Sequence, residues 1–269
     1  GSTSYLIPAD VPENVDAFAA ELDCMQIIVF EYEGNSSVPP PGEVRRMASV
    51  AAQNGLEFTI HMPIDIELCS PDAPARKKSV QKMREVMAAL APVQPVYYVV
   101  HLDLPDDPCL TPGDGYHKYT RRIPPGFYSE AEVEKMAARA AECIREACAG
   151  ACRPGAVCIE NTHDLFALYS LAADMSGASI CVDTGHLEMR GYPPGEMIAR
   201  EAHRIEVVHI HGVSGGRDHL ALGEKDAGSA VEILAALESA GFRGHMIVEV
   251  FSIDDYRKSI EIIRKAKSR

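Results

Sequence analysis

Two patterns of hydrophobic and polar positions alternate along the chain, one typical of strands and one typical of helices. Short runs rich in β-branched and aromatic residues recur between longer stretches whose apolar residues are spaced three and four apart. Several of the short runs, such as Val96–Leu102, are almost wholly apolar, which is typical of parallel strands covered by helices. The short runs predict eight strands: Tyr5–Ile7, Met25–Glu31, Glu57–Met62, Val96–Leu102, Ala156–Asn161, Ser179–Thr184, Glu206–His211 and His245–Phe251.

The longer stretches predict helices with one buried face. Ser129 followed by Glu132 is a capping-box pattern at a helix start, and Gly241 suits the end of a helix over Ala230–Ala240. A further stretch ends at Pro92 and places five apolar residues on one stripe: Val80, Met83, Val86, Met87 and Leu90.

Eight strands alternating with helices predict a single (β/α)8 TIM barrel, with residues 1–269 forming one domain. A doubly wound open sheet is the alternative, but no Gly-x-Gly-x-x-Gly follows the first strand. Leu104–Tyr128, with five prolines, is too long for an ordinary connection. We expect this segment to be a lid over the active site.

Composition narrows the classes of partner. The chain has 39 acidic and 26 basic residues, a net charge of −13, and 46% hydrophobic residues. The acidic charge makes nucleic acid an unlikely partner, because binding to phosphates requires a Lys/Arg surface. The absence of an apolar run of about 18 residues, and of a signal pattern, predicts a cytoplasmic protein without membrane contact. The eight cysteines form no Cys-x-x-Cys pair and are expected to be reduced.

Ionisable residues fall at the ends of the predicted strands, where barrel active sites are built. Three of them, Glu160, Asp183 and Glu249, follow apolar runs, and unpaired buried carboxylates would be costly there. A shared divalent cation would resolve that cost. Imidazole together with carboxylate favours Zn²⁺ or Mn²⁺, with Mg²⁺, Co²⁺ or Fe²⁺ as alternatives. The accompanying histidines are His61, His101, His186, His209, His211 and His219.

Other histidines have ordinary explanations as hydrogen-bonded core or surface residues. These are His117, His163, His203 and His245.

The strand-end motifs together resemble the xylose isomerase-like barrel superfamily, which contains sugar and sugar-phosphate isomerases and epimerases and the endonuclease IV family. The resemblance covers most of the chain and implies a metal held by Glu160, Asp183, His211 and Glu249, with His209 as the alternative ligand from strand seven. The motifs are His61-Met62-Pro63, His101, Ile159-Glu160-Asn161-Thr162, Val182-Asp183-Thr184-Gly185-His186, His209-Ile210-His211, His219-Leu220-Ala221-Leu222-Gly223 and Ile247-Val248-Glu249.

The epimerase branch of the superfamily moves a proton with two carboxylates beside one metal. His186 and Arg217 match positions that bind substrate in that branch. Phe166 occupies the position of a second glutamate, six residues beyond Glu160, so that the pattern is incomplete.

The hydrolase branch uses several metals to clamp a phosphoester. His61, His101, His186 and His219 match its additional histidines, and the Glu160-Asn161-Thr162 triplet also fits. Against it, Arg217 stands where that pattern has an aspartate, and Asp218 is displaced by one position.

The sequence therefore leans slightly towards metal-assisted hydrolysis of a small phosphoester, such as a nucleotide-like or cobamide substrate. Sugar or sugar-phosphate isomerisation or epimerisation is the alternative, and a non-catalytic barrel that binds metal and sugar is a third hypothesis. The oligomeric state stays open. The expected catalytic residues are Glu249, Glu160 and His186. The expected metal ligands are Glu160, Asp183, His211 and Glu249, together with His61, His101 and His219. The expected substrate-binding residues are Arg217, His186, His209 and Asn161, with Arg121 or Arg122 meeting a phosphate.

Overall fold

The eight barrel strands pair in the order in which they occur along the chain. The computed structural model describes residues 1–32, 35–109 and 121–268. All barrel pairs are parallel, and the first strand closes against the last through Ser2 and Val248. The predicted (β/α)8 barrel is confirmed. Its strands are β1 (Ser2–Thr3), β2 (Cys24–Ile28), β3 (Glu57–His61), β4 (Tyr97–Val100), β5 (Val157–Glu160), β6 (Ser179–Asp183), β7 (Ile205–Ile210) and β8 (His245–Val248).

Helices surround this barrel and bury their apolar stripes against it. All five predicted stripe positions of the third helix are buried, and the capping box of Ser129 and Glu132 is present. In the described part of the chain the helices are α1 (Val11–Phe18), α2 (Pro41–Asn54), α3 (Ala73–Leu90), α4 (Glu130–Cys148), α5 (Phe166–Ser176), α6 (Thr184–Met189), α7 (Pro194–Glu201), α8 (Ala227–Ser239) and α9 (Ile253–Lys267).

The first strand is the one that the hydrophobic pattern misplaced. It lies at Ser2–Thr3 rather than at Tyr5–Ile7. The hydroxyl groups of Ser2 and Thr3 donate to the carbonyls of Val248 and Val250 at 2.8 and 2.7 Å, and both residues are fully buried. Since this strand is polar and satisfied by neighbouring backbone, its residues give no apolar signal.

A small hairpin beside the barrel mouth follows β7. Gly212–Ser214 pairs in antiparallel fashion with Arg217–Leu220. This hairpin brings the loop after β7 back over the end of the barrel, so that Arg217, Asp218 and His219 lie near the strand ends.

The long segment Leu104–Tyr128 is described only at its two ends. The hydroxyl of Tyr128 donates to the carbonyl of Pro105 at 2.8 Å, and Asp164 accepts from the backbone of Ile123 at 3.0 Å. Residues 110–120, on which the lid prediction falls, lie outside the described residues.

All eight cysteines are free thiols, as expected for reduced residues. No helix within residues 1–32, 35–109 and 121–268 combines the length and the apolar character needed to cross a membrane.

Candidate metal centre

The interior of the barrel has two layers, and the site is the upper one. Side chains two apart on a strand point to the same face, so Cys158 lies one layer below Glu160 and Cys181 lies one layer below Asp183. The lower layer is a buried apolar cluster. It consists of Cys24, Val99, Cys158, Cys181, Val207 and Ile247.

The upper layer brings three carboxylates and one imidazole together at the carboxyl ends of neighbouring strands. Glu160, Asp183, His209 and Glu249 are all buried, and one donor atom from each lies within 4.8 Å of the others. The Nδ1 atom of His209 is 3.6 Å from Glu160, 3.6 Å from Asp183 and 3.0 Å from Glu249. This spacing suits side chains that converge on a common cation.

These carboxylates are held ionised by their histidine neighbours. Burial alone would raise the pKa of Glu249, but the charges of His209 and His219 bring it well below its ordinary value. The pKa of Glu160 is likewise lowered against the effect of burial, by His209 and His101. The upper layer therefore holds buried ionised carboxylates whose negative charge is balanced by the neighbouring histidines.

A divalent cation fits this donor set. In the described part of the chain, Glu249 Oε2 and both ring nitrogens of His209 are buried without a partner in hydrogen-bond geometry. Buried polar atoms normally have a partner, and mixed carboxylate and imidazole donors are the usual ligands of Zn²⁺, Mn²⁺ and Fe²⁺. The structure thus offers clusters that could hold a metal ion.

Three smaller groups of possible ligands adjoin this centre, and one of them joins Cys181 to Glu160 and His209. His61 and His101 each place Nε2 next to the same oxygen of Glu160, at 3.2 and 3.3 Å. On the other side His186, His211 and His219 form a second group of donors. The rings of His211 and His219 stack at 4.5 Å between centroids.

The two histidines of strand seven take different places. His209 joins the three carboxylates, whereas His211, which the sequence favoured as the ligand, lies in the second histidine group. The Nε2 atom of His211 is 3.3 Å from Asp183, and its Nδ1 accepts from the backbone N–H of His219 at 3.0 Å. The position of each ring makes His209 the stronger ligand candidate.

The lack of a side chain at Gly185 leaves room for the ring of His211 beside Asp183. A Cβ atom added at Gly185 would lie 2.1 Å from Cε1 of His211. Only glycine leaves room for the ring, which gives the Asp183-Thr184-Gly185-His186 motif a packing reason.

Asp218 is a site residue that the sequence reasoning set aside as displaced. Its Oδ1 lies 3.1 Å from Nδ1 of His219, and its Oδ2 lies 3.8 Å from Nε2 of His186. The backbone of His219 is left-handed, with φ of 52°. That turn of the hairpin brings the side chain of Asp218 into the site. A position-by-position comparison of motifs does not predict this, because Asp218 is displaced by one residue from the position of the aspartate in the pattern.

Asn161 has a supporting position rather than an open one. Its side-chain amide donates to the carbonyl of Asp183 at 2.9 Å and accepts from the N–H of Asp183 at 2.8 Å. Both ends of the amide are occupied in holding β6 beside β5. The expected contact between Asn161 and substrate therefore stays a prediction without support from this geometry.

Arg190, which the sequence reasoning did not consider, connects several parts of the site. Its buried guanidinium donates to the carbonyls of Thr162, His186 and Arg121 at 2.6, 3.1 and 3.2 Å. Arg122 in turn donates from Nε to the carbonyl of Arg190 at 2.8 Å. No local motif marks Arg190, because two of its three partners, Thr162 and Arg121, lie far from it along the chain.

The remaining predicted positions lie outside the centre. His163 is buried, and burial together with Arg190 lowers its pKa well below the ordinary value. His245 pairs with Glu57 at 2.7 Å at the opposite end of the barrel. Phe166 begins α5 and its ring contacts Tyr192, with centroids 5.1 Å apart. His203 lies just beyond α7, and His117 falls outside the described residues.

An open cavity of about 540 Å³ leads from solvent to these groups. Arg217 is exposed and lines this cavity, and its part in substrate binding stays a prediction. The other polar residues in its lining are His61, His101, Glu160, His186, Asp218, His219, Glu249 and Asp255.

The chain shares its fold with several solved structures at low sequence identity. A D-tagatose 3-epimerase-like protein has a TM-score of 0.73 and 19% identity, covering 100% of this chain and 96% of that one. The 3-keto-D-glucoside 4-epimerase from E. coli has a TM-score of 0.66 and 14% identity, covering 100% and 98%. SacUVDE has a TM-score of 0.65 and 9% identity, covering 96% and 86%.

No curated protein sequence matches the chain. The family model for the xylose isomerase-like TIM barrel, however, matches residues 16–266. That match spans every barrel strand except β1, including all the strands that carry the candidate site. The resemblance inferred from the strand-end motifs is thereby confirmed, and the chain belongs to the xylose isomerase-like TIM barrel family.

Proposed function

We propose that the protein is a metal-dependent sugar epimerase or isomerase, which moves a proton at a carbon next to a carbonyl group. The observation that carries this proposal is the buried group of Glu160, Asp183, His209 and Glu249 beneath a cavity of about 540 Å³. Sugar epimerases among the structures of the same fold support it. They favour this alternative over the hydrolysis towards which the sequence leaned.

The same four side chains would hold the divalent cation, with His209 in the place first expected for His211. A cation bound there would polarise the carbonyl of an α-hydroxy ketone and so lower the pKa of the neighbouring C–H group. The identity of the metal is left to experiment.

Proton transfer would fall to Glu249 and Glu160. They stand at the ends of β8 and β5, with β6 and β7 between them, so they approach the centre from different sides. One carboxylate would remove the proton from one face of the carbon and the other would return it to the opposite face. Both groups are held ionised by their histidine neighbours, which suits the general base. The group that returns a proton would first take one up from solvent, and the base would pass the removed proton to solvent.

The neighbouring polar residues would orient the sugar. Burial lowers the pKa of His186, so its ring is neutral near pH 7 and can hydrogen-bond a hydroxyl group. Asp218 lies beside His186 and lines the cavity with Arg217. Arg217 is placed to meet a distal oxygen or phosphate of the substrate.

The direct test is solvent-deuterium exchange. The protein would be loaded with Mn²⁺, Co²⁺ or Zn²⁺ and incubated in D₂O with a panel of ketoses and ketose phosphates, and exchange at the carbon next to the carbonyl would be followed by proton NMR. We expect exchange with at least one sugar, lost by about 10²–10⁴-fold in Glu249→Gln. Glu57→Gln, at the other end of the barrel, is the control and should exchange like the wild type. A chain that exchanges no ketose with any of the metals does not have this function.

Hydrolysis of a phosphoester remains the second candidate, because one specific observation favours it. The donor groups His61–His101–Glu160 and His186–His211–His219 adjoin the central four and could hold further metals, as a clamp for phosphoester cleavage requires. Two or more zinc ions per chain, together with cleavage of bis-p-nitrophenyl phosphate and no deuterium exchange, would establish hydrolysis in place of epimerisation.

A further inference from the structure

The mouth of the cavity is apolar, in contrast to its floor. Phe30, Ile64 and Phe251 line it and are 45%, 60% and 44% exposed. Large apolar side chains are normally exposed one at a time, and a group of them around one opening marks a binding surface. We call these three residues the apolar rim.

Each rim residue follows a barrel strand, and two of these strands, β3 and β8, also carry polar residues of the floor. Phe251 follows Glu249 by two residues, and its ring lies 5.6 Å from that of His219. Phe30 follows the end of β2, and its ring lies 5.2 Å from that of Tyr5. A ligand held on the floor would therefore extend directly between the rim side chains.

The cavity is larger than a single sugar. A hexose has twelve non-hydrogen atoms and needs at most about 360 Å³ if each takes the volume of a water molecule, about 30 Å³. The cavity holds about 540 Å³. A bare hexose on the floor would leave the space between Phe30, Ile64 and Phe251 filled only by water.

We propose that the substrate is a keto-sugar that carries a flat apolar substituent away from its carbonyl group, as an aryl glycoside of a keto-sugar does. The sugar would lie on the polar floor and the substituent between the two phenyl rings and Ile64. These three side chains have no hydrogen-bonding group, so the rim suits neither a nucleobase nor a second sugar, whose polar edges would stay unpaired. This inference rests on the proposed function, since it extends the same site.

The test compares binding of matched glycosides, and it needs no turnover. Methyl and phenyl β-glycosides of glucose, galactose and allose would be titrated into the Mn²⁺-loaded protein by calorimetry. We expect the phenyl member of at least one pair to bind about tenfold or more tightly than its methyl partner, because the ring buries several additional carbon atoms. Phe251→Ala and Phe30→Ala should bring that ratio close to one.

The chain offers a matched control in Phe127, which is also 45% exposed but does not line the cavity. Phe127→Ala should keep the full preference for the phenyl glycoside. Equal affinities within every pair, or a preference that survives both rim variants, overturns the proposal, as does the absence of binding by all six glycosides.

The outcomes also separate this inference from the proposed function. Rim-dependent preference without any deuterium exchange would keep the apolar subsite and reject the epimerase. Exchange with free ketoses, together with equal binding within every pair, would support the epimerase and reject the apolar subsite. Analytical ultracentrifugation would show whether a second copy of the chain covers the rim instead. A dimer that Phe251→Ala separates, together with no preference for phenyl glycosides, would make the rim an interface between copies and overturn the proposal.

Discussion

The lower and upper layers of the barrel interior are formed by the same strands but obey opposite rules. The lower layer holds apolar side chains, such as Val207 and Ile247, which fill the interior without any polar partner. Two residues further on, His209 and Glu249 belong to a layer of buried charge. Both layers are equally shielded from water, so burial alone does not explain their difference.

What separates the layers is access to a compensating partner. The upper layer opens into the cavity, where a cation or a substrate can meet its carboxylates. The residues of the lower layer do not line that cavity, so a charge there would not meet a cation or substrate held in it. On each of these strands the candidate ligands thus stand two residues beyond an apolar side chain of the lower layer.

The strongest way to break the comparison is to move charge into the lower layer. Val207→Asp would bury a carboxylate among apolar side chains, and we expect a loss of about 3–5 kcal/mol or more of unfolding free energy. Urea denaturation measures it, with the nearly isosteric Val207→Thr as a milder control. An unchanged midpoint for Val207→Asp would show that water reaches the lower layer.

Within the upper layer, the two histidines of strand seven distinguish a metal ligand from its neighbour. His209→Ala should weaken metal binding by about 100-fold or more, whereas His211→Ala should weaken it by less than about tenfold, since it removes only a neighbour of Asp183. Competition against a chromophoric chelator gives both affinities. A larger loss for His211→Ala would restore that residue as the ligand.

Packing around the upper layer can be tested at Gly185. Gly185→Ala would push a methyl group into the His211 ring and should cost about 1–3 kcal/mol of stability. The control is Gly228→Ala, in α8, where an added Cβ meets no atom within 4 Å. Thermal unfolding of both variants should show a lower midpoint for Gly185→Ala and an unchanged or slightly raised one for Gly228→Ala.

The smallest effect is expected at the far end of the barrel. The pair of His245 and Glu57 spans 2.7 Å, but the Glu57 side chain is 56% exposed. Glu57→Gln should therefore change the unfolding free energy by less than about 1 kcal/mol. Denaturation at low and at high salt checks this, and a clear salt-dependent loss would assign the pair a structural role.

The sequence by itself determined the barrel and the location of its site. Short, near-continuous apolar runs, separated by helical stretches, are enough to predict parallel strands, because a buried strand needs hydrophobic residues on both faces. Glu160, Asp183 and Glu249 could be identified as a group because each ends such a run. The polar first strand escaped this reasoning, since Ser2 and Thr3 are satisfied by backbone carbonyls.

Only the tertiary structure decided which donors meet. His209 and His211 both point inward by the strand period, and the choice between them depends on how far each ring extends past the end of β7. Asp218 enters through the left-handed backbone of His219, and Arg190 through the carbonyls of Thr162 and Arg121, which lie far from it along the chain. Such contacts join residues far apart along the chain, and their geometry follows from packing and backbone turns that no local pattern encodes.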